Sequence, residues 1–193
     1  MSHNQLIEIN MENVRNEIKK VSLKNERLDV TFSQEFLEDN YSDEVTRKCS
    51  QIVHADFKAA LDTLKKHLVI ICEQPEANDI LDAGVDNYDV EKLDNYVVTG
   101  YSTGGSDEDA GVTIIGQKLL KSGKVVNINA PFTKYEDFDT YKHGTELSGD
   151  IYSCNNEVVE YLFKGKWGIK QQEFDFDVPD EAMTETTSDT EAA

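Results

Sequence analysis

Apolar positions gather in three short runs between Asn95 and Pro131: Tyr96, Val97, Val98 and Tyr101, then Val112, Ile114 and Ile115, then Val125, Val126 and Ile128. Each run is rich in β-branched and aromatic residues. Turn residues part them, Gly104 to Gly111 first and Lys121, Ser122, Gly123 and Lys124 second. Such residues fit a pleated, half-buried surface, so this stretch is predicted to be a three-stranded antiparallel meander. Gly123 supplies the positive φ that a tight connection wants.

Two helical stripes flank the meander. Phe57, Leu61, Leu64, Leu68 and Ile71 recur at spacings of four and three, which predicts a helix over 55–73 with Lys58, Asp62, Lys65 and Lys66 on its other side. Asp56 favours its start and Pro75 its stop. Leu147, Ile151, Cys154, Val158 and Leu162 form a second stripe over 145–164, with Thr145 as N-cap and Gly165 past the end. Each stripe needs an apolar surface to cover, and a sheet face provides one.

The N-terminal third carries two competing patterns. Ile7, Met11, Val14, Ile18 and Val21 make a helical stripe, while Val21 and Leu23, then Leu28, Val30 and Phe32, alternate around a turn at Lys24, Asn25 and Glu26. The hairpin, 18–23 with 27–34, is preferred. Residues 35–50 are polar and acidic and read as a loop or short helix. Residues 74–94 read as a linker with room for one helical turn, and 168–176 as a last edge strand. The expectation is one α+β domain over 18–176, an antiparallel sheet of five to six strands (N-terminal hairpin plus three-stranded meander) covered by two amphipathic helices. Residues 1–17 are expected to be a mobile N-terminal segment and 177–193 a disordered acidic tail. The predicted core includes Leu61, Leu64, Leu68, Ile114, Ile128, Leu147, Ile151 and Val158.

Charge changes the functional picture. The chain has 38 acids and 19 bases, a formal charge of −19. Eight of the acids follow Gln172, where no Lys or Arg occurs, and the body remains acidic without them. Nucleic-acid affinity depends largely on Lys and Arg neutralising phosphates, so only a local basic patch fits that role. A protein partner with a basic surface fits the overall sign. No apolar run is long enough for a membrane span and no signal-peptide pattern opens the chain, so a cytoplasmic location is expected. Three widely spaced cysteines, Cys49, Cys72 and Cys154, agree with reduced thiols.

Motifs for catalysis are sparse. Gly100, Ser102 and Gly104 match G-x-S-x-G, but a Gly-rich acidic loop and another strand follow where a hydrolase places a helix. Gly104, Gly105 and Ser106, like Ser122, Gly123 and Lys124, are fragments of a phosphate loop without its spacing or its helix. Asp107, Glu108 and Asp109 offer oxygens to a hard cation but lack EF-hand spacing, and read first as a solvated hairpin tip. His3, His54, His67 and His143 show no metal-ligand spacing. No cofactor is expected, and a small hydrolase acting through Ser102 or a metal is the weakest of three functional readings.

Basic residues concentrate late: Lys134, Lys142, Lys164, Lys166 and Lys170, with Trp167 among them, form the candidate anion or nucleic-acid patch. Phe132, Tyr135, Phe138, Tyr141 and Tyr161 could stack single-stranded bases, although aromatics sealing a sheet–helix core are the commoner arrangement. The tail alternates aromatics and acids, and Phe174, Asp175, Phe176 and Asp177 are its candidate docking residues.

The helix at 55–73, the runs from Tyr96 to Gly116, the segment from Gly123 to Pro131 and the stretch from Glu157 to Trp167 together resemble small bacteriophage- and prophage-encoded accessory proteins. That resemblance implies an accessory protein in a bacterial host cytoplasm and carries no activity or site residues. The leading expectation is a non-enzymatic binding protein of phage DNA metabolism, with an acidic tail that recruits a partner or autoinhibits. The alternative is an acidic inhibitor occupying the nucleic-acid site of a host protein.

Overall fold

A turn with two successive left-handed residues, Asn25 (φ 48°) and Glu26 (φ 62°), closes the first hairpin. Positive φ at both central residues is what a two-residue hairpin of right-twisted strands demands. The structure, a computed structural model, describes residues 14–168. The hairpin joins β1 (Val14–Lys24) to β2 (Arg27–Phe36), so its strands run longer than the alternation predicts, and the helical alternative does not apply to residues 14–36. Residues 1–13 and 169–193 lie outside the description. With them lie Lys170, the tail residues, and all of the expected last strand beyond Gly168. Trp167 makes a single antiparallel bridge to Val53.

Residues 41–48 correct the expectation of a loop or short helix, since they form a third strand, β3 (Tyr41–Lys48), paired along β2. Its polarity has a structural cause. It is an edge strand, and Val45 alone among its residues is partly buried. Charged, polar edge strands resist pairing with other chains.

The meander is as expected: β4 (Tyr96–Gly104), β5 (Gly111–Leu119) and β6 (Val125–Asn129). A two-residue β7 (Thr133–Lys134) lies beside β5. One seven-stranded antiparallel sheet results, in the order β3-β2-β1-β4-β5-β6, with β7 on β5. The two meanders meet at β1 and β4, where only Lys20, Val21 and Ser22 pair with Ser102, Tyr101 and Gly100. Gly100 makes that seam possible, because a Cβ there would sit 2.2 Å from the Val21 carbonyl oxygen.

Three helices complete the fold. α1 (Ala55–Ile71) starts at His54, whose Nδ1 accepts from the Asp56 amide at 3.2 Å, and ends before Cys72. α2 (Ala77–Ala83) and a 3-10 turn at Val90–Leu93 occupy the expected linker, where Val69, Ile80, Val85, Leu93 and Tyr96 form a small second core. α3 (Gly144–Phe163) begins at His143, so Thr145 lies inside the helix rather than capping it. α1 lies over the meander, and Gly116 leaves room for it: a Cβ would meet Leu68 Cδ2 at 2.4 Å. α3 reaches the other half. Phe163 meets Phe32 edge-on at 5.6 Å, and Arg47 Nη1 donates to the Leu162 carbonyl at 3.1 Å. Both helices cover the same sheet face, and every predicted core residue is buried there except Ile128, which is half-buried on edge strand β6. No described helix is long and apolar enough to cross a membrane.

Candidate functional site

The opposite face of the sheet carries no helix. Over β1–β3 its side chains are the polar phase of the alternation whose apolar phase forms the core, while over β4–β6 it also carries Val97, Ile115, Leu119 and Val125. Lys20, Ser22 and Lys24 stand on β1 between the buried Val21 and half-buried Leu23, with Asp29 and Thr31 beside them on β2 and Thr46 and Lys48 on β3. Two adjoining depressions cross this face. One, of about 280 Å³, is lined by Lys20, Lys24, Lys48, Thr31, Thr46 and Gly100 among others. The second, of about 400 Å³, shares Ser22, Lys24, Thr99 and Ile115 with it and continues to Gln117, Asn127 and Asn129.

The groove follows from side-chain size and strand irregularity. Gly100, Ser22 and Thr99 place little volume at its centre, while long lysines stand on β1 and β3. The pairing register shifts between Ile18 and Lys20 on β1 and between Val98 and Gly100 on β4. Such bulges bend the strands that carry them and increase their twist. Lys24 pairs with Asp29 at 3.3 Å. Lys20 and Lys48 make no ion pair within the described residues, and both are exposed. Three ammonium groups thus face one carboxylate, among Thr, Ser and Asn groups able to donate hydrogen bonds. No aromatic side chain lines either depression. The two depressions suit the oxygens of a phosphate or carboxylate chain and hold no ring for stacking bases.

The patch expected from sequence is divided by the fold. Lys134 lies on β7 and pairs with Asp109 at 2.5 Å. Lys142 is exposed just before α3, and Lys164 and Lys166 follow the other end of that 20-residue helix, about 30 Å away. Lys164 pairs with Glu160 at 2.5 Å, and Lys166 bridges Asp56 and Glu157, each at 2.7 Å. Trp167 is exposed and donates Nε1–H to the Tyr161 carbonyl at 3.1 Å. The described members of the patch therefore do not converge, and three of the four lysines meet local carboxylates.

Ser102 stands within regular pairing, opposite Lys20 and Thr113, not on a strand-to-helix turn. Asp107–Asp109 form a 3-10 turn, and no group of three or more His, Cys, Asp or Glu side chains among the described residues is arranged to hold a metal ion. Burial pushes the Cys154 thiol up to about 12, and the thiols of Cys49 and Cys72 are raised for the same reason. Tyr141 and Tyr161 are buried, whereas Phe132 and Phe138 are exposed, Phe132 with its ring beside Gly104 and Gly111 at the β4–β5 end.

One polar network escapes the sequence. His67, fully buried in α1, bonds the Tyr141 hydroxyl through Nδ1 at 2.6 Å and the Asp150 carboxylate through Nε2 at 3.1 Å. Lys66, also buried, lies 3.8 Å from the same carboxylate. Burial raises the Asp150 pKa, but the His67 hydrogen bond and charge, together with Lys66, outweigh it and leave the carboxyl below its usual range. Burial drives the Tyr141 hydroxyl well above its ordinary value, so it stays protonated. The network joins α1 to α3 and presents no nucleophile. For the groove, a signal was present in the alternation of Lys20, Ser22 and Lys24. What the sequence lacked was the register that sets β3, with Lys48, alongside.

No protein-family model, no curated protein and no solved structure matches the chain.

Proposed function

We propose that the protein is a non-enzymatic binding protein that holds an extended polyanion, single-stranded nucleic acid in the first instance, across the uncovered face of its sheet. One observation carries this reading: in a chain of charge −19, Lys20, Lys24 and Lys48 converge on a groove with a single lining carboxylate. Contacts run to the backbone phosphates, because the lining offers cations and hydroxyls but no ring for stacking. Binding is therefore tolerant of sequence and sensitive to salt. The resemblance to phage- and prophage-encoded proteins fits an accessory role inside a bacterial host, and the anion groove is what suggests DNA metabolism as its setting.

The test is a titration with an oligothymidine of about 15 nucleotides, long enough at OB-fold site sizes to cross such a face, followed by backbone amide NMR shifts. Movement should centre on residues 20–24, 46–48 and 99–100. Shifts confined to the helical face around Lys164 and Lys166, or none at all, would reject the groove as the site.

A second reading has its own observation. Glu35, Glu38, Asp39, Asp43 and Glu44 are all exposed around the β2–β3 turn, an acidic edge suited to the basic site of another protein. A complex with a basic nucleic-acid-binding protein that Glu35→Lys and Glu44→Lys weaken, without oligonucleotide binding, would select this inhibitor role.

A further inference from the structure

We infer that the chain's own C-terminal acidic segment, residues 173–181, occupies the lysine groove and competes with the external polyanion. The inference rests on the proposed function in treating the groove as an anion site. It assigns that site a resident occupant within the same chain, away from Lys164 and Lys166.

Three observations point to this occupant. The first is where the described chain ends. Gly168 donates its amide to the Ile52 carbonyl at 2.8 Å, and the next residue, Val53, donates to the carbonyl of Glu26 at 2.8 Å in the β1–β2 turn. The described chain therefore stops beside the hairpin end that bears Lys24, whose carboxylate partner Asp29 is paired in register with Lys48. The second is length. Residues 169–172 form a four-residue lead, about 14 Å when extended. Residues 173–181 add about 30 Å, against about 24 Å for the five strand spacings from β3 to β6. The third is charge. Glu173, Asp175, Asp177, Asp180 and Glu181 meet no Lys or Arg in their own segment. Glu173, Asp175 and Asp177 recur every second residue, so an extended chain presents them on one side.

The competing location is weaker on the same grounds. Lys164 and Lys166 already pair with Glu160, Glu157 and Asp56, whereas Lys20 and Lys48 make no ion pair among the described residues and share the groove with Asp29, which pairs with Lys24. Tethering makes the contact intramolecular at a millimolar effective concentration. A segment whose own Kd is about 0.1 mM would then weaken an outside ligand about tenfold.

The experiment uses the full chain in two arms. In the first, zero-length carbodiimide coupling at low salt is read by mass spectrometry on a mixture of ordinary and 15N-labelled protein. Intramolecular links from Lys20, Lys24 or Lys48 to Glu173–Glu181 carboxylates are expected. Links to Lys164 and Lys166 alone, links between differently labelled chains, or no links from this segment would overturn the inference. In the second arm, the chain carrying Glu173→Gln, Asp175→Asn, Asp177→Asn, Asp180→Asn and Glu181→Gln is compared with the parent for oligothymidine binding. About tenfold tighter binding is expected at low salt, with the gap closing as salt rises. Equal affinity in both chains at low salt would overturn the competition while leaving the proposed function standing. Intramolecular links to the groove lysines, with no oligothymidine binding by either chain, would uphold the resident segment and defeat the proposed function.

Discussion

His67 is fully buried, yet both of its ring nitrogens are bonded, to Tyr141 and to Asp150. Nothing in the sequence shows this, because the partners lie 74 and 83 residues away and the histidine falls beside an apolar stripe. Removing Asp150 leaves a buried imidazole nitrogen and the buried Lys66 ammonium without their shared carboxylate. Asp150→Ala should therefore destabilise by about 1–3 kcal/mol, measured by urea denaturation at neutral pH. The pH dependence has a definite sign. The folded-state pKa of Asp150 lies below its unfolded value. Its contribution is present above the unfolded pKa, about 3.9, and is lost as pH falls through the folded value. Asp150→Asn should lower stability near neutrality and flatten that part of the acid limb. An unchanged acid limb would remove Asp150 from the linkage. Cys154 was legible at this scale, since a thiol on a helical stripe reads as core and it is buried, whereas Cys72 at the end of α1 is only half-buried.

At the scale of elements, what could be read depended on whether burial falls on one face or both. Helix α1 and strands β4 and β5 were legible because their apolar residues keep one period against one core. Strand β3 was not, because an edge strand with a single half-buried residue has no apolar phase to detect. The extra residues in β1 and β4 and the role of Gly100 were equally hidden, since a bulge follows from how two strands fit. Leu64 is fully buried between helix and sheet, and Leu64→Ala should cost about 2–5 kcal/mol in thermal or chemical denaturation. Gly100→Ala tests the seam. The added methyl meets backbone that cannot rotate away, so β1 and β4 must separate. Overpacking of this kind costs about 1–3 kcal/mol. A variant as stable as the parent would contradict the close approach of the two meanders.

For the whole molecule, the functional claim is one of charge arrangement. Composition showed that any basic site had to be local, and that was readable. Its position was not. The late lysines are near one another in sequence, but α3 separates two groups of them and nearby carboxylates meet most of them. Lys20, Lys24 and Lys48 come from two strands at opposite ends of a meander and meet only through its register. The most direct measurement of the claim is the salt dependence of oligothymidine binding in the chain with its 173–181 carboxylates neutralised. Three lysines on single-strand phosphates predict a slope of log K against log salt of about −2, falling in magnitude by about 0.7 for each of Lys20→Gln, Lys24→Gln and Lys48→Gln. The matched control, Lys164→Gln, should leave the slope unchanged. A slope that the three groove substitutions do not alter, or one that Lys164→Gln reduces instead, would contradict the account.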